Sequence, residues 1–227
     1  LALLALLLGV VVSVPLGIVA ARHPRFGRVV LGTVSVFQTI PSLALLAFLV
    51  PMLSLLGLRS IGMLPALIGL FVYSLLPILR NTVTGIACID PAYPEAARGV
   101  GMTDLQRLWR VELPLATPAI IAGIRTSAVW TVGTATLATP VGAVSLGNYI
   151  FGGLQTRNYA AVLFGCVSSA ALALLLDGLI HLVEQGLATR SRIKGWLAAV
   201  GLCLVAVAAL APAVVGVFRS TAASRPV

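Results

Sequence analysis

Asp90–Pro118, DPAYPEAARGVGMTDLQRLWRVELPLATP, is the one long polar stretch in the chain. It carries four of the six acidic residues (Asp90, Glu95, Asp104 and Glu112) with Arg98, Arg107 and Arg110 among them. A polar insert of this length between apolar runs has to sit outside a bilayer core, where charges and irregular backbone can be hydrated or can meet a partner. Its local signals predict two short helices around a turn. Glu95-Ala96-Ala97-Arg98 is a strong helix former, and Gly99 and Gly101 supply the break. Thr103 followed by Gln106 is a capping-box pattern, so a second helix is expected from Asp104. Leu105, Leu108 and Trp109 form an apolar stripe opposite Gln106, Arg107 and Arg110, and Pro114 opens the next apolar run at a position that tolerates proline. Taken alone, these features also fit an amphipathic hairpin resting on a membrane surface.

The rest of the chain supplies the membrane. Of 227 residues, 59% are hydrophobic and only 9% charged, more apolar sequence than a soluble domain of this size needs. The expected fold is an all-α polytopic membrane protein. A net charge of +9 could suggest nucleic acid, but the basic residues are scattered through short loops, which on a membrane protein is an orientation signal. Cys88, Cys166 and Cys203 are isolated, without metal spacing or a paired framework, and are expected to be small packing residues.

Six spans are expected. The first covers 1–21; no basic segment precedes it as in a cleaved signal peptide, and Leu1 in place of Met points to native residues ahead of it. The second covers about 29–56, with a kink at Pro41 in Thr39-Ile40-Pro41-Ser42. The third covers 61–79, the fourth 115–140 and the fifth 160–182, with a Gly-rich connection after the fourth. A sixth is expected over 195–217. Loops at 22–28, 80–112 and 190–194 hold ten Lys and Arg, the alternate set four, which puts the first set in the cytoplasm and the N-terminal end of the first span outside.

Glu95-Ala96-Ala97, three residues, Gly101, nine residues, Val111, one residue and Leu113-Pro114 resembles the EAA loop of binding-protein-dependent ABC importers, with Val111 in place of the family's isoleucine. The resemblance implies that this loop, 81–114, is the coupling element that enters a cleft in an ATPase subunit, with the two alanines keeping its face small. Pro94 stands where the family expects an aliphatic residue, so the coupling helix is expected to shift or kink there. Phe37–Leu46, Leu76–Thr82, Gly123–Thr126 and Gly133–Ala138 are similar to the branch that imports glycine betaine, choline, carnitine and related osmoprotectants. The likeness covers residues 1–187, a five-helix permease core. The segment 188–227 adds a basic loop, the sixth helix and a tail.

The resemblance further implies an inner-membrane permease subunit without an ATPase site or cofactor of its own. ATP would be bound by a partner ATPase, with a second permease subunit and an external binding protein completing the assembly. The residues agree that ATP is not bound here, since there is no Gly-x-x-x-x-Gly-Lys-Ser/Thr and Lys194 is the single lysine. Candidate path residues are Gln38, Thr39, Pro41, Ser42 and Trp130, because aromatic faces hold quaternary ammonium ions; Phe37, Tyr73 and Tyr149 are further aromatic candidates. Import of another small solute such as an amino acid is the nearest alternative.

An ion-coupled carrier would need midplane carboxylates, and Asp177 alone lies well inside a span. His23 and His181 lie too near the span ends for an intramembrane protease, and no residue cluster suggests a metal. Arg125 and Asp177 each fall about ten residues from the cytoplasmic ends of the fourth and fifth spans, ~15 Å deep, and are expected to pair.

Overall fold

The computed structural model describes residues 1–188 and Gly201. Among them it is helical with no strand: α1 (Ala2–Arg22), α2 (Pro24–Thr39), α3 (Ser42–Leu55), α4 (Met63–Ala87), α5 (Ala92–Gly99), α6 (Asp104–Arg107), α7 (Leu113–Thr136), α8 (Gly147–Gln155) and α9 (Tyr159–Ala188). The chain divides into two compact units, Leu1–Asp177 and Gly178–Val227. Four of the described helices are long and apolar enough to cross a membrane, and α2 with α3 would make a fifth. The expected sixth span, the 190–194 loop and Cys203 lie outside the described residues.

The second span differs from expectation. It is broken, α2 and α3 meeting at 97° across Ile40-Pro41, because proline removes a donor and Ile40 and Pro41 both adopt extended backbone. The third span is longer than its apolar run: α4 continues through Arg80-Asn81-Thr82 to Ala87, so Arg80 is a helix residue and the coupling loop begins later. The Gly-rich connection contains α8, whose Tyr149 ring meets Phe164 of α9 edge-on at 5.3 Å. Cys88 and Cys166 are exposed, and the packing role expected of them is not what they have.

The core is α4 between α1 and α7, and glycines bring the three backbones together. A Cβ at Gly9 would stand 2.1 Å from Ser74 Oγ, one at Gly17 2.7 Å from Thr82, and one at Gly123 2.8 Å from the Pro77 carbonyl. In lipid, where apolar surface gains little by meeting apolar surface, such close backbone contact and small hydroxyls hold helices together. Accordingly, Ser13 Oγ donates to Leu75 O at 3.2 Å, and Ser127 Oγ to Ser74 O at 3.0 Å. Leu46 of α3, Ala66 of α4 and Ala138, Val141 and Ala143 beyond α7 form a small apolar cluster with Leu1 packed against it, closing the end opposite the hairpin.

Candidate functional site

The hairpin between α4 and α7 is built by local rules. Asp90 Oδ1 accepts from the Ala92 N–H at 2.9 Å and α5 starts there, so Pro94 falls in the first turn, where its missing N–H costs nothing. The helix therefore starts three residues before the Glu95-Ala96-Ala97 triplet and includes Pro94 without a break. It ends in a Schellman turn: the Gly101 N–H donates to Arg98 O at 2.9 Å and the Met102 N–H to Ala97 O at 3.1 Å. Gly101 has φ +79° with open space around it, so the glycine is needed for its backbone and not for room. Gly99 lies inside α5 and makes no break.

Both bonds of the capping box are present: the Gln106 N–H donates to Thr103 Oγ1 at 3.3 Å, and the Thr103 N–H to Gln106 Oε1 at 3.0 Å. From Asp104 the helix continues into α7 through a π-helical segment, Leu108–Glu112, in which the Leu113 N–H reaches Leu108 O. Pro114 has no N–H and its ring crowds the preceding turn, and the wider π turn absorbs both. The whole run, Asp104–Thr136, has 33 residues and is about 50 Å long, against an apolar bilayer core of ~30 Å. The turns before Leu113 therefore project beyond the bilayer.

The faces of this hairpin are not those expected from the stripe. Leu105 and Trp109 are exposed, whereas Leu108, Arg107 and Glu112 are buried. The reason is an ionic cluster. Arg107 Nε donates to Glu112 Oε1 at 2.7 Å, Arg107 Nη1 stands 3.0 Å from Asp104 Oδ1, and Arg22 Nη2 donates to Glu112 Oε2 at 3.0 Å. Burial raises the Glu112 pKa, but the hydrogen bonds and charges of Arg107 and Arg22 outweigh it and hold the carboxyl below the ordinary glutamate range. Arg22 ends α1, so this carboxylate ties the hairpin to the first span. Ala97 packs inward, while Glu95 and Ala96 are exposed; the small outward face is therefore one alanine and not two. Val111 and Leu113 are half-buried, and Pro114 is exposed. Tyr93, Val100, Leu105 and Trp109 leave an apolar surface on the hairpin, outside the bilayer.

A second set of residues lies deeper. Pro77 leaves the Tyr73 carbonyl without its helical donor, and Gln38 Nε2 of α2 supplies one at 3.0 Å. The Tyr73 hydroxyl donates in return to Ile40 O at the α2–α3 break. The proline inside α4 and the proline break between α2 and α3 thus satisfy each other's backbone. Beside this junction is a cavity of about 320 Å³, lined in part by Gln38, Tyr73, Arg80, Asn81, Thr126 and Trp130. An adjoining cavity of about 440 Å³ shares Thr126 and Trp130 and is lined also by Arg125 and Asp177. These two meet as a bidentate pair, Arg125 Nε donating to Asp177 Oδ1 and Nη2 to Oδ2, both at 2.9 Å. Of the path candidates, the structure brings together Gln38 and Trp130. Thr39 and Pro41 are exposed, Ser42 is half-buried, and none of the three lines either cavity. Tyr73 lines the first cavity, Phe37 neither, and Tyr149 is taken up by Phe164. Sequence reasoning missed Arg80 as a cavity residue and the pairing of Arg22 with Glu112. Among the described residues no group of His, Cys, Asp and Glu could hold a metal ion.

Residues 13–189 match the family described as the binding-protein-dependent transport system inner membrane component. The choline transport system permease protein OpuBB of Bacillus subtilis is 44% identical over 185 residues, which cover 82% of this chain and 82% of that one. The glycine betaine/carnitine/choline transport system permease protein OpuCB of the same organism is 43% identical, covering 81% and 82%. The osmoprotectant import permease protein OsmW of Salmonella typhimurium is 41% identical, covering 80% and 84%. Among solved structures, the inward-facing methionine ABC transporter MetNI superposes with a TM-score of 0.72 at 24% identity, covering 82% of this chain and 90% of that one, a likeness of fold. The chain belongs to the binding-protein-dependent transport system inner membrane component family and is a multi-pass permease subunit of an ABC importer.

Proposed function

We propose that this permease forms the translocation path for a small quaternary-ammonium osmoprotectant of the glycine betaine, choline and carnitine class. The observation that carries the reading is that relatives more than 40% identical over about four-fifths of both chains are named for these solutes. An external binding protein would deliver the solute. A partner ATPase would bind ATP and dock on the hairpin, where Glu95, Ala96 and the exposed Tyr93, Val100 and Trp109 face outward. A second permease subunit, identical or homologous, would complete the path. The domain follows residues 1–187, with the coupling loop inside it.

Mechanically, closure of the ATPase pair would move each hairpin. The Glu112 cluster would carry that motion to α1 through Arg22, and the π segment would carry it into α7. Rigid helices pivoting at the proline breaks then open the path alternately to either side. Membership of this family favours ATP-driven import over the ion-coupled carrier. The test is uptake of labelled choline, glycine betaine and carnitine by cells that lack their own importers, supplied with this permease, its ATPase and its binding protein. Uptake of at least one that stops when the ATPase is inactivated is expected. No uptake of any of the three, with amino-acid uptake in their place, would overturn the solute class.

A further inference from the structure

Arg80 is a charge in an unusual position. It follows Pro77 by one turn of α4 and precedes the helix end at Ala87 by two turns, ~10 Å along the helix axis. Among the described residues it makes no ion pair or hydrogen bond, and in the single chain it is exposed. It lines the cavity with Trp130 and Tyr73. The Tyr73 hydroxyl is committed to Ile40 O, so that side chain offers only its ring. Trp130 is 65% exposed in the single chain and also borders the adjoining cavity. The other guanidinium there, Arg125, is met by Asp177. Two adjoining cavities that share Trp130 therefore hold one neutralised arginine and one bare one.

We infer that the cavity of Gln38, Tyr73, Arg80 and Trp130 is a transient solute site built for a zwitterion, with the solute's carboxylate on Arg80 and its quaternary ammonium against Trp130. A guanidinium binds a carboxylate through paired hydrogen bonds, and an ammonium that cannot donate hydrogen bonds is held by an aromatic face. A solute with only the cation meets Arg80 as a like charge; a solute with both ends gains on both. This deepens the proposed function and rests on it: within that class the path favours carboxylate-bearing betaines over the simple alcohol cation choline.

The experiment is uptake and binding-protein-stimulated ATP hydrolysis by the complete transporter in proteoliposomes, with Arg80→Gln, Arg80→Lys and Trp130→Leu. Arg80→Gln is expected to cut glycine betaine uptake tenfold or more while ATP hydrolysis persists, and to leave choline uptake at or above the wild-type rate. Arg80→Lys should restore part of the betaine uptake, and Trp130→Leu should lower uptake of both solutes. Normal betaine uptake by Arg80→Gln, an equal loss of both solutes, or loss of the variant from the membrane would each make Arg80 structural and overturn the site. A wild-type transporter that moves choline and not betaine would overturn the zwitterion preference and leave the osmoprotectant reading standing. One that moves neither would refute the reading itself.

Discussion

The Glu112 cluster and the Arg125–Asp177 pair use the same chemistry in different surroundings. At the hairpin, Glu112 and Arg107 have side chains 10% and 9% exposed, and the carboxylate has two guanidinium partners on two elements. Between α7 and α9, the Arg125 and Asp177 side chains are 28% and 31% exposed and border a cavity. The first arrangement is a joint outside the bilayer, and the second borders the cavity pair within it. What separates them is how much water each charge gives up, and therefore how much is lost when a partner goes.

Breaking the tighter joint is expected to do the most harm. Glu112→Gln leaves Arg107 buried without its carboxylate, and removing one partner of a buried pair costs roughly 3–5 kcal/mol. Folded yield and thermal stability of the purified complex should fall sharply. Arg22→Gln, whose side chain is 31% exposed, should fall less. The Arg125–Asp177 pair is predicted to come second, at roughly 1.5–3 kcal/mol for charged hydrogen bonds. Arg125→Asp or Asp177→Arg alone should lower folded yield, and the swapped pair should recover part of it. If Glu112→Gln proves milder than Asp177→Asn in the same stability assay, exposure does not rank these sites and the comparison fails.

A smaller effect is expected at Gly101. Replacement by valine forces a β-branched residue into left-handed backbone, at about 1–2 kcal/mol. Because the turn is exposed and nothing crowds it, the subunit should still insert while transport falls. A Gly101→Asn control, better suited to that conformation, should transport more than Gly101→Val. Equal transport by the two would show that the turn geometry is irrelevant to coupling.

How legible these features are in sequence follows from how far apart their causes lie. The capping box and the glycine turn rest on residues within about one helical turn of each other, and both can be read directly. The Arg22–Glu112 bond joins residues 90 apart, and no local pattern records it. The Arg125–Asp177 pairing could be anticipated because equal depth on antiparallel spans is a countable quantity. Arg80 reads as the end of a span because a polar run ends the apolar one; the helix continues because Arg80 and Asn81 line a cavity and Thr82 is buried against α1 with its hydroxyl on Ile78 O. α8 reads as a loop because Gly147, Gly152 and Gly153 weaken it locally. Its neighbours hold it in place, with Gly147 against the Thr136 carbonyl and Gly153 against Val162. The break at Pro41 reads as a kink because sequence gives the missing donor but not the Tyr73 hydroxyl that stabilises the open carbonyl.

The central claim is that the hairpin is the face on which an ATPase drives this permease. Val100 on the hairpin is 75% exposed, and Val144, near the opposite end of the spans, is 85% exposed. A photo-crosslinking residue placed at each, in the assembled transporter in its membrane, tests that claim most directly. Crosslinks to the ATPase from position 100, altered by ATP, and none from position 144 are the predicted result. Crosslinks to the ATPase from position 144, or from neither position in a transporter that still imports, would contradict it.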